Sequence, residues 1–183
     1  MLTQLSDETL LKRVGQQDRH AMEVLYKRHC ARLTNFVLST CKDPAAASDV
    51  VQETMLAVWR QASGFQGKSS AKTWIYGIAR FKAVDRLRAN ARLSPSDDIP
   101  EQVDDRPGPE AQAVLAGDVQ QLRICLGELD DKRRRVVRLA FFEDMTYEEI
   151  SQVEGIKAGT VKSRVFHAKQ ALMRCLSRAL GKS

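Results

Sequence analysis

A chain of 183 residues is long enough to bury one core or two small ones, and a net charge of +6 favours a polyanionic partner only weakly. Four cysteines without a Cys-x-x-Cys pair, beside only three histidines, give no metal-ligand pattern, so no metal or cofactor is expected. No apolar run approaches the roughly 18 residues that a membrane span needs, so no membrane insertion is expected and the cysteines are read as reduced packing residues of a cytoplasmic protein. The charge is unevenly spread: residues 1–90 carry a balance of +6, residues 91–117 carry −4, and residues 118–183 carry +4. Two basic blocks around an acidic spacer predict two modules and a linker, not one uniform globule.

Almost every segment outside the spacer has helical periodicity and none alternates as a strand, which predicts an all-α fold of two small helical domains joined by a flexible acidic linker. Ser6-Asp7-Glu8 starts the first helix, with acidic groups against its N-terminal dipole, and Leu10, Leu11 and Val14 form its apolar face ahead of Gly15. A second helix covers Arg19 to Leu38, with Met22, Leu25, Tyr26, Leu33, Phe36 and Val37 as core candidates. Asp43-Pro44 opens a third, because proline suits a first helical turn. Its stripe of Val51, Met55, Val58 and Ala62 leaves Asp49, Gln52, Glu53 and Arg60 on a polar face. That face is either a solvated surface or a contact for an arginine-rich partner.

The stretch FQGKSSAKTWIYGIARFKAVDRLR follows. Gly64 and Gly67 flank Phe65 in a loop, and a helix starts near Ala71 or Lys72 with Ile75, Ala79, Ala83 and Leu87 as its core stripe. Lys68, Lys72, Arg80, Lys82, Arg86 and Arg88 give positive charge along loop and helix, interleaved with Trp74, Tyr76 and Phe81. Cations that track phosphates beside rings that stack on bases form a platform for single-stranded nucleic acid. Trp74 and Phe81, taken singly, are expected in the core, whereas the loop and its cations as a group are expected to meet nucleic acid.

The spacer holds Pro95, Pro100, Pro107 and Pro109 and is expected to carry no regular element. An acidic tether of this kind either occupies a cationic channel or keeps the basic modules apart. Beyond it, Met145 to Lys169 predicts two short helices around a tight turn. Thr146 and Glu149 have the spacing of a capping box, Ile150 and Val153 share a face, and Gly155 stands where a left-handed residue stops a helix. Val161 and Val165 form a buried seam, while Thr160, Lys162, Ser163, Arg164 and His167 point elsewhere. An apolar seam backed by a basic, hydroxyl-bearing face is what a helix needs to dock in a major groove, and the plainer alternative is a solvated hairpin with ordinary surface lysines.

Three segments together, DVVQETMLAVWR, the loop with TWIYGIAR and AVDRLR, and MTYEEIS through GTVKSRVFHAKQAL, resemble the extracytoplasmic-function (ECF) sigma factors of bacteria, in the right order from about Ser6 to Leu176. The resemblance implies no enzymatic activity, binding to core RNA polymerase and promoter DNA, and control by an anti-sigma factor. It implies sigma region 2 over residues 1–90, a linker over 91–117 that threads the RNA exit channel, and sigma region 4 over 118–183. On this resemblance, Asp49, Gln52, Glu53 and Trp59 meet the clamp helices of the β′ subunit. Lys68, Ser69, Ser70, Lys72, Trp74, Tyr76, Arg80, Lys82, Arg86 and Arg88 meet the −10 element, with the loop Gln66 to Lys72 capturing a flipped base. Thr160, Lys162, Ser163, Arg164 and His167 read the −35 element, with histidine at a position where the family frequently has arginine. The segment LDDKRRRVVRLAFFED resembles helices that touch the β flap, and Arg133 to Arg135 are offered equally to phosphate. Two rival classes are a stand-alone helix-turn-helix regulator, which has no use for the paired loop and third-helix motifs, and a nucleic-acid enzyme, which needs a carboxylate cluster or zinc signature that the sequence lacks.

Overall fold

The structure is a computed structural model that describes residues 2–93, 115–179 and 181; most of the linker segment 91–117 therefore lies outside the described residues. Among the described residues there are eight α-helices and no strand: α1 (Asp7–Gly15), α2 (Arg19–Cys41), α3 (Pro44–Gln61), α4 (Ala71–Leu93), α5 (Leu115–Gly127), α6 (Asp131–Phe141), α7 (Tyr147–Glu154) and α8 (Ala158–Ala179). They form two compact units: one holds α1–α4 together with Gln152–Gly155 at the end of α7, and the other holds α5, α6, the start of α7 and α8.

Local chemistry sets the helix starts. Ser6 accepts from the Thr9 N–H, Asp18 from His20 and Ala21, Asp43 from Ala45 and Ala46, and Asp130 from Arg133, each satisfying donors that a helix start leaves orphaned. Pro44 occupies the first turn of α3. Lys42 in the left-handed conformation ends α2 three residues beyond the expected Leu38.

In the N-terminal unit α2 packs on α1, α3 and α4, and α3 packs on α4. Leu10, Leu11, Val14, Leu25, Leu33, Phe36, Val37, Val58, Ile75 and Tyr76 are fully enclosed. Met22 is half-buried and Tyr26 and Leu87 are exposed, contrary to the core expectation, because α2 and α4 present narrower faces to the bundle than their apolar residues span. The core instead takes in His29, whose Nε2 lies 2.7 Å from the Asp7 carboxylate. Arg28 also bonds Asp7 and donates to the carbonyls of Thr3 and Leu5, so the N-terminal segment is tied to α2. Burial alone would push the Asp7 carboxyl up, but hydrogen bonds and charge from His29 and Arg28 outweigh it and hold the group below the ordinary carboxylate range.

In the C-terminal unit, Leu129, Val137 and Ala168 form a core cluster joined by Leu126, Ala171 and Leu172. Arg134 donates to the carbonyls of Leu126, Gly127 and Leu129 at 3.0, 2.6 and 2.7 Å, closing the C-terminus of α5. Cys125 of α5 and Cys175 of α8 form a disulfide, their Cα atoms 5.7 Å apart. This corrects the expectation of reduced thiols throughout: packing of α5 on α8 brings together two cysteines that no local spacing connects. Cys30 and Cys41 remain thiols, and burial pushes the Cys41 thiol up.

Candidate polymerase and nucleic-acid interfaces

On α3 the residues Val50, Val51, Thr54, Met55, Ala57 and Val58 are buried, which leaves Asp49, Gln52, Glu53 and Arg60 on the opposite, exposed face and Trp59 half-buried beside it. Leu56 lies on the same face and is 54% exposed. An apolar side chain in the middle of a polar ridge is the composition of a protein-binding surface, with an anchor and a charged rim. The core stripe predicted from sequence passed over it. The signal was present in its spacing from Gln52 and Glu53, four and three residues on, which places it off the stripe.

The loop from Phe65 to Ser70 joins a short 3-10 turn (Ala62–Gly64) to α4. Gly67 turns it with φ +69°, a conformation that side chains rarely adopt. Gln66 and Lys68 are exposed, Ser69, Ser70 and Lys72 half-buried. Ser70 caps α4 by accepting from the Thr73 N–H at 3.2 Å, and its hydroxyl also lies 2.8 Å from that of Thr73. Phe65 and Trp74 pack ring to ring at 5.4 Å, so the half-buried Trp74 closes one side of the loop.

Two aromatic expectations on α4 are reversed. Tyr76 has no accessible surface and packs on Phe36 at 5.2 Å between centroids, so it belongs to the core and is withdrawn from the −10 contact set. Phe81, expected in the core, is 67% exposed. Trp74, Ile78 and Phe81 recur at helical spacing, so the open aromatic surface runs along one side of α4 from the loop to Phe81.

The α4 cations divide. Arg80 is half-buried, and Arg88 lies 3.9 Å from Asp85 on the same helix. Lys82 pairs with Glu53 at 3.3 Å and Arg86 with Asp49 at 3.4 Å. Residues assigned to two different macromolecular contacts, polymerase and DNA, are thus brought together at the α3–α4 seam.

In the C-terminal unit the capping box forms as the spacing predicted: the Thr146 N–H donates to Glu149 at 2.9 Å, and the Glu149 N–H to the Thr146 hydroxyl at 3.2 Å. Gly155 takes φ +65°, and the Ser151 hydroxyl donates to the Ile156 carbonyl at 2.6 Å, fixing the turn into α8. Val161, Val165 and Ala168 are buried along α8. Lys162, Ser163 and His167 are exposed on it, and Thr160 and Arg164 half-buried. Phe166 stands 56% exposed among them, its ring 5.5 Å from that of His167, an aromatic side chain that the sequence periodicity did not single out. The arginine cluster of α6 is corrected: Arg134 is committed to the three carbonyls and Arg135 is buried, leaving Arg133, 3.3 Å from Asp130, as the exposed member. At the other end of α6, Phe141 and Phe142 are exposed, with Lys169 over the first ring and Arg138 over the second. No described helix is long and apolar enough to cross a membrane.

Comparison with known proteins gives these surfaces a context. The family model for Sigma-70 region 2 matches residues 25–93, and that for Sigma-70 region 4 matches residues 120–172. An ECF RNA polymerase sigma factor, SigK, of Mycobacterium ulcerans is 32% identical over 171 residues, covering 91% of each chain. The RNA polymerase sigma-H factor of Pseudomonas aeruginosa is 29% identical over 187 residues, covering 96% of each. Among solved structures, RpoE of Bartonella quintana, in complex with the anti-sigma factor NepR, superposes with a TM-score of 0.66 at 26% identity, covering 82% of this chain and 95% of that one. CnrH, in complex with the cytosolic domain of CnrY, shares the fold with a TM-score of 0.64 at 24% identity, covering 94% and 97%. Both matched regions, in this order, and a relative above 30% identity along nearly the whole of both chains establish that the protein belongs to the ECF RNA polymerase sigma factors.

Proposed function

We propose that this sigma factor binds core RNA polymerase through the α3 ridge of Asp49, Gln52, Glu53, Leu56 and Trp59, melts the −10 element with the loop 66–72 and α4, and reads the −35 element with α8. The observation that carries the residue assignment is the seam where the α3 carboxylates meet the α4 cations, beside a loop closed by Phe65 and Trp74. Polymerase and melted DNA are then held on adjoining faces of one small domain. A flipped base costs a few kcal/mol in unstacking, and stacking on Trp74 or Phe81 together with phosphate contacts from Lys68, Lys72, Arg80 and Arg88 offsets it.

Region 4 supplies the second, weaker contact. Lys162, Ser163, Arg164, His167 and Thr160 face the −35 element, and Phe141 and Phe142 suit the β flap as exposed apolar anchors. Polymerase fixes the spacing of the two modules, so two modest contacts act as one strong one. Residues 1–90 and 118–183 are the working modules, and residues 91–117 are the tether. An anti-sigma factor of the kind bound to the Bartonella relative holds the protein inactive in the cytoplasm by covering the α3 ridge.

The experiment is transcription in vitro on a fragmented bacterial genome with core polymerase, with and without this protein. Protein-dependent start sites sharing two short motifs at fixed spacing support the proposal. Substituting Lys162→Ala and Arg164→Ala then relaxes the upstream motif by about 1–3 kcal/mol per lost bidentate base contact. Unchanged promoter choice in both variants removes those residues from the readout, and specific DNA binding without polymerase-dependent initiation favours a stand-alone regulator.

A further inference from the structure

We propose that α1 is a brace for the −10 loop, and that Glu8 and Gly15, which no promoter or polymerase contact claims, are positioning residues for promoter melting. This rests on the reading of residues 66–72 as the base-capturing segment.

Such a loop must be held at both ends, because a flipped base is captured only if its stacking and hydrogen-bonding partners stand within a fraction of an ångström of the productive geometry. The two ends of this loop are met by the two ends of the same helix. At the far end, the Glu8 carboxylate accepts from the backbone N–H of Ala71 at 3.1 Å. Ala71 is the first residue of α4, and its N–H has no partner within that helix. Ser70 caps Thr73 and leaves the Ala71 donor to Glu8. A carboxylate here also favours the positive end of the α4 dipole.

At the near end, Gly15 lies backbone to backbone against the 3-10 turn. A Cβ at Gly15 would stand 3.0 Å from both Cα and N of Ser63 and 3.1 Å from the carbonyl carbon of Ala62. Gly15 does not have a positive φ, so glycine serves here for close approach and not for an unusual conformation. Glu8 and Gly15 are seven residues apart, about 10 Å along a helix axis, which sets the separation of the loop's ends.

The brace is itself anchored. Leu10, Leu11 and Val14 are fully buried, and Asp7 is bonded by His29 and Arg28 of α2. The loop is thereby referenced to the core of the domain through α1. A carboxylate beside a loop that meets an anionic strand opposes binding in its own right, so Glu8 has no direct role in attracting DNA, and its geometry accounts for its presence.

The test uses the full chain with core polymerase. Glu8→Ala, Glu8→Gln and Gly15→Ala are compared for thermal stability, for affinity to core polymerase, and for permanganate-detected opening of a duplex promoter against the same promoter already melted at −10. Glu8→Ala is expected to lower opening of the duplex by about fivefold to tenfold, the scale of losing one helix cap, with polymerase affinity unchanged. Glu8→Gln is expected to recover most of that loss, since its amide oxygen accepts the same N–H, and the pre-melted promoter narrows the gap between all variants. Gly15→Ala is expected to act in the same direction. Normal opening by Glu8→Ala overturns the brace, as does a loss that merely follows melting temperature or polymerase affinity, or a glutamine variant no better than alanine. A Lys68→Ala/Ser69→Ala double variant separates the two readings. If it opens promoters normally, the loop assignment fails and the brace with it; if it fails beside a normal Glu8→Ala, only the brace is refuted.

Discussion

Breaking the Cys125–Cys175 bond is expected to destabilise the C-terminal unit while leaving the N-terminal unit unmoved. The cysteines are 50 residues apart in sequence, and in the chain-entropy model closing a loop of that length contributes about 4 kcal/mol by restricting the unfolded chain. The folded side changes little on reduction: Cys125 and Cys175 are 1% and 4% exposed, and buried thiols pack as small apolar groups. Leu126, Leu129, Ala168 and Leu172 still hold the helices together. For a unit of this size each kcal/mol moves the midpoint by about 4–8 °C, and disulfides often deliver less than the full entropic term, so a fall of roughly 10–30 °C is expected. Scanning calorimetry of the whole chain with and without reductant measures it, and mass analysis after alkylation counts the thiols. The N-terminal transition is the internal control, because Cys30 and Cys41 are thiols in both samples. Four alkylated cysteines in the unreduced native protein would refute the pairing. An unmoved C-terminal transition after verified reduction would refute the energetic reasoning.

The aromatic reversal on α4 gives a paired test: Tyr76→Ala is expected to cost about 3–5 kcal/mol of stability as a buried ring, whereas Phe81→Ala costs under about 0.5 kcal/mol. Binding of a −10 non-template oligonucleotide by the polymerase complex should instead weaken by about 1–3 kcal/mol for Phe81→Ala, and equal binding would remove Phe81 from the stacking surface. Asp7 has its carboxyl held below the ordinary range, so its contribution is fully present above about pH 4, the unfolded value, and is lost as the pH falls through the lower folded value. Urea midpoints should therefore fall more steeply below pH 4 for the native chain than for Asp7→Asn, and parallel curves would contradict this. The Lys82–Glu53 pair is exposed, so Glu53→Gln should change stability by no more than about 1 kcal/mol while weakening polymerase binding. A large stability loss with normal polymerase affinity would show that Glu53 serves the fold.

The sequence by itself determined the helices and most of their ends, because those depend on groups within one turn of each other. The Thr146–Glu149 box, the Asp43-Pro44 start of α3, Gly155 in the left-handed turn and the Val161–Val165 seam are all of this kind. The family motifs were legible for the same reason, as short runs on single helices. Tertiary structure decided whatever depends on how the helices pack. Tyr76 and Phe81 both lie among the α4 cations in sequence, and the packing of α4 on α2 and α3 buries one and leaves the other exposed. Cys125 meets Cys175 across 50 residues, and Glu8 meets Ala71 across 63. His29 passes as an ordinary polar residue until folding places Asp7 beside it. Helical periodicity says which residues share a face, but a face becomes core, partner or interface only when another element arrives to cover it or leaves it open.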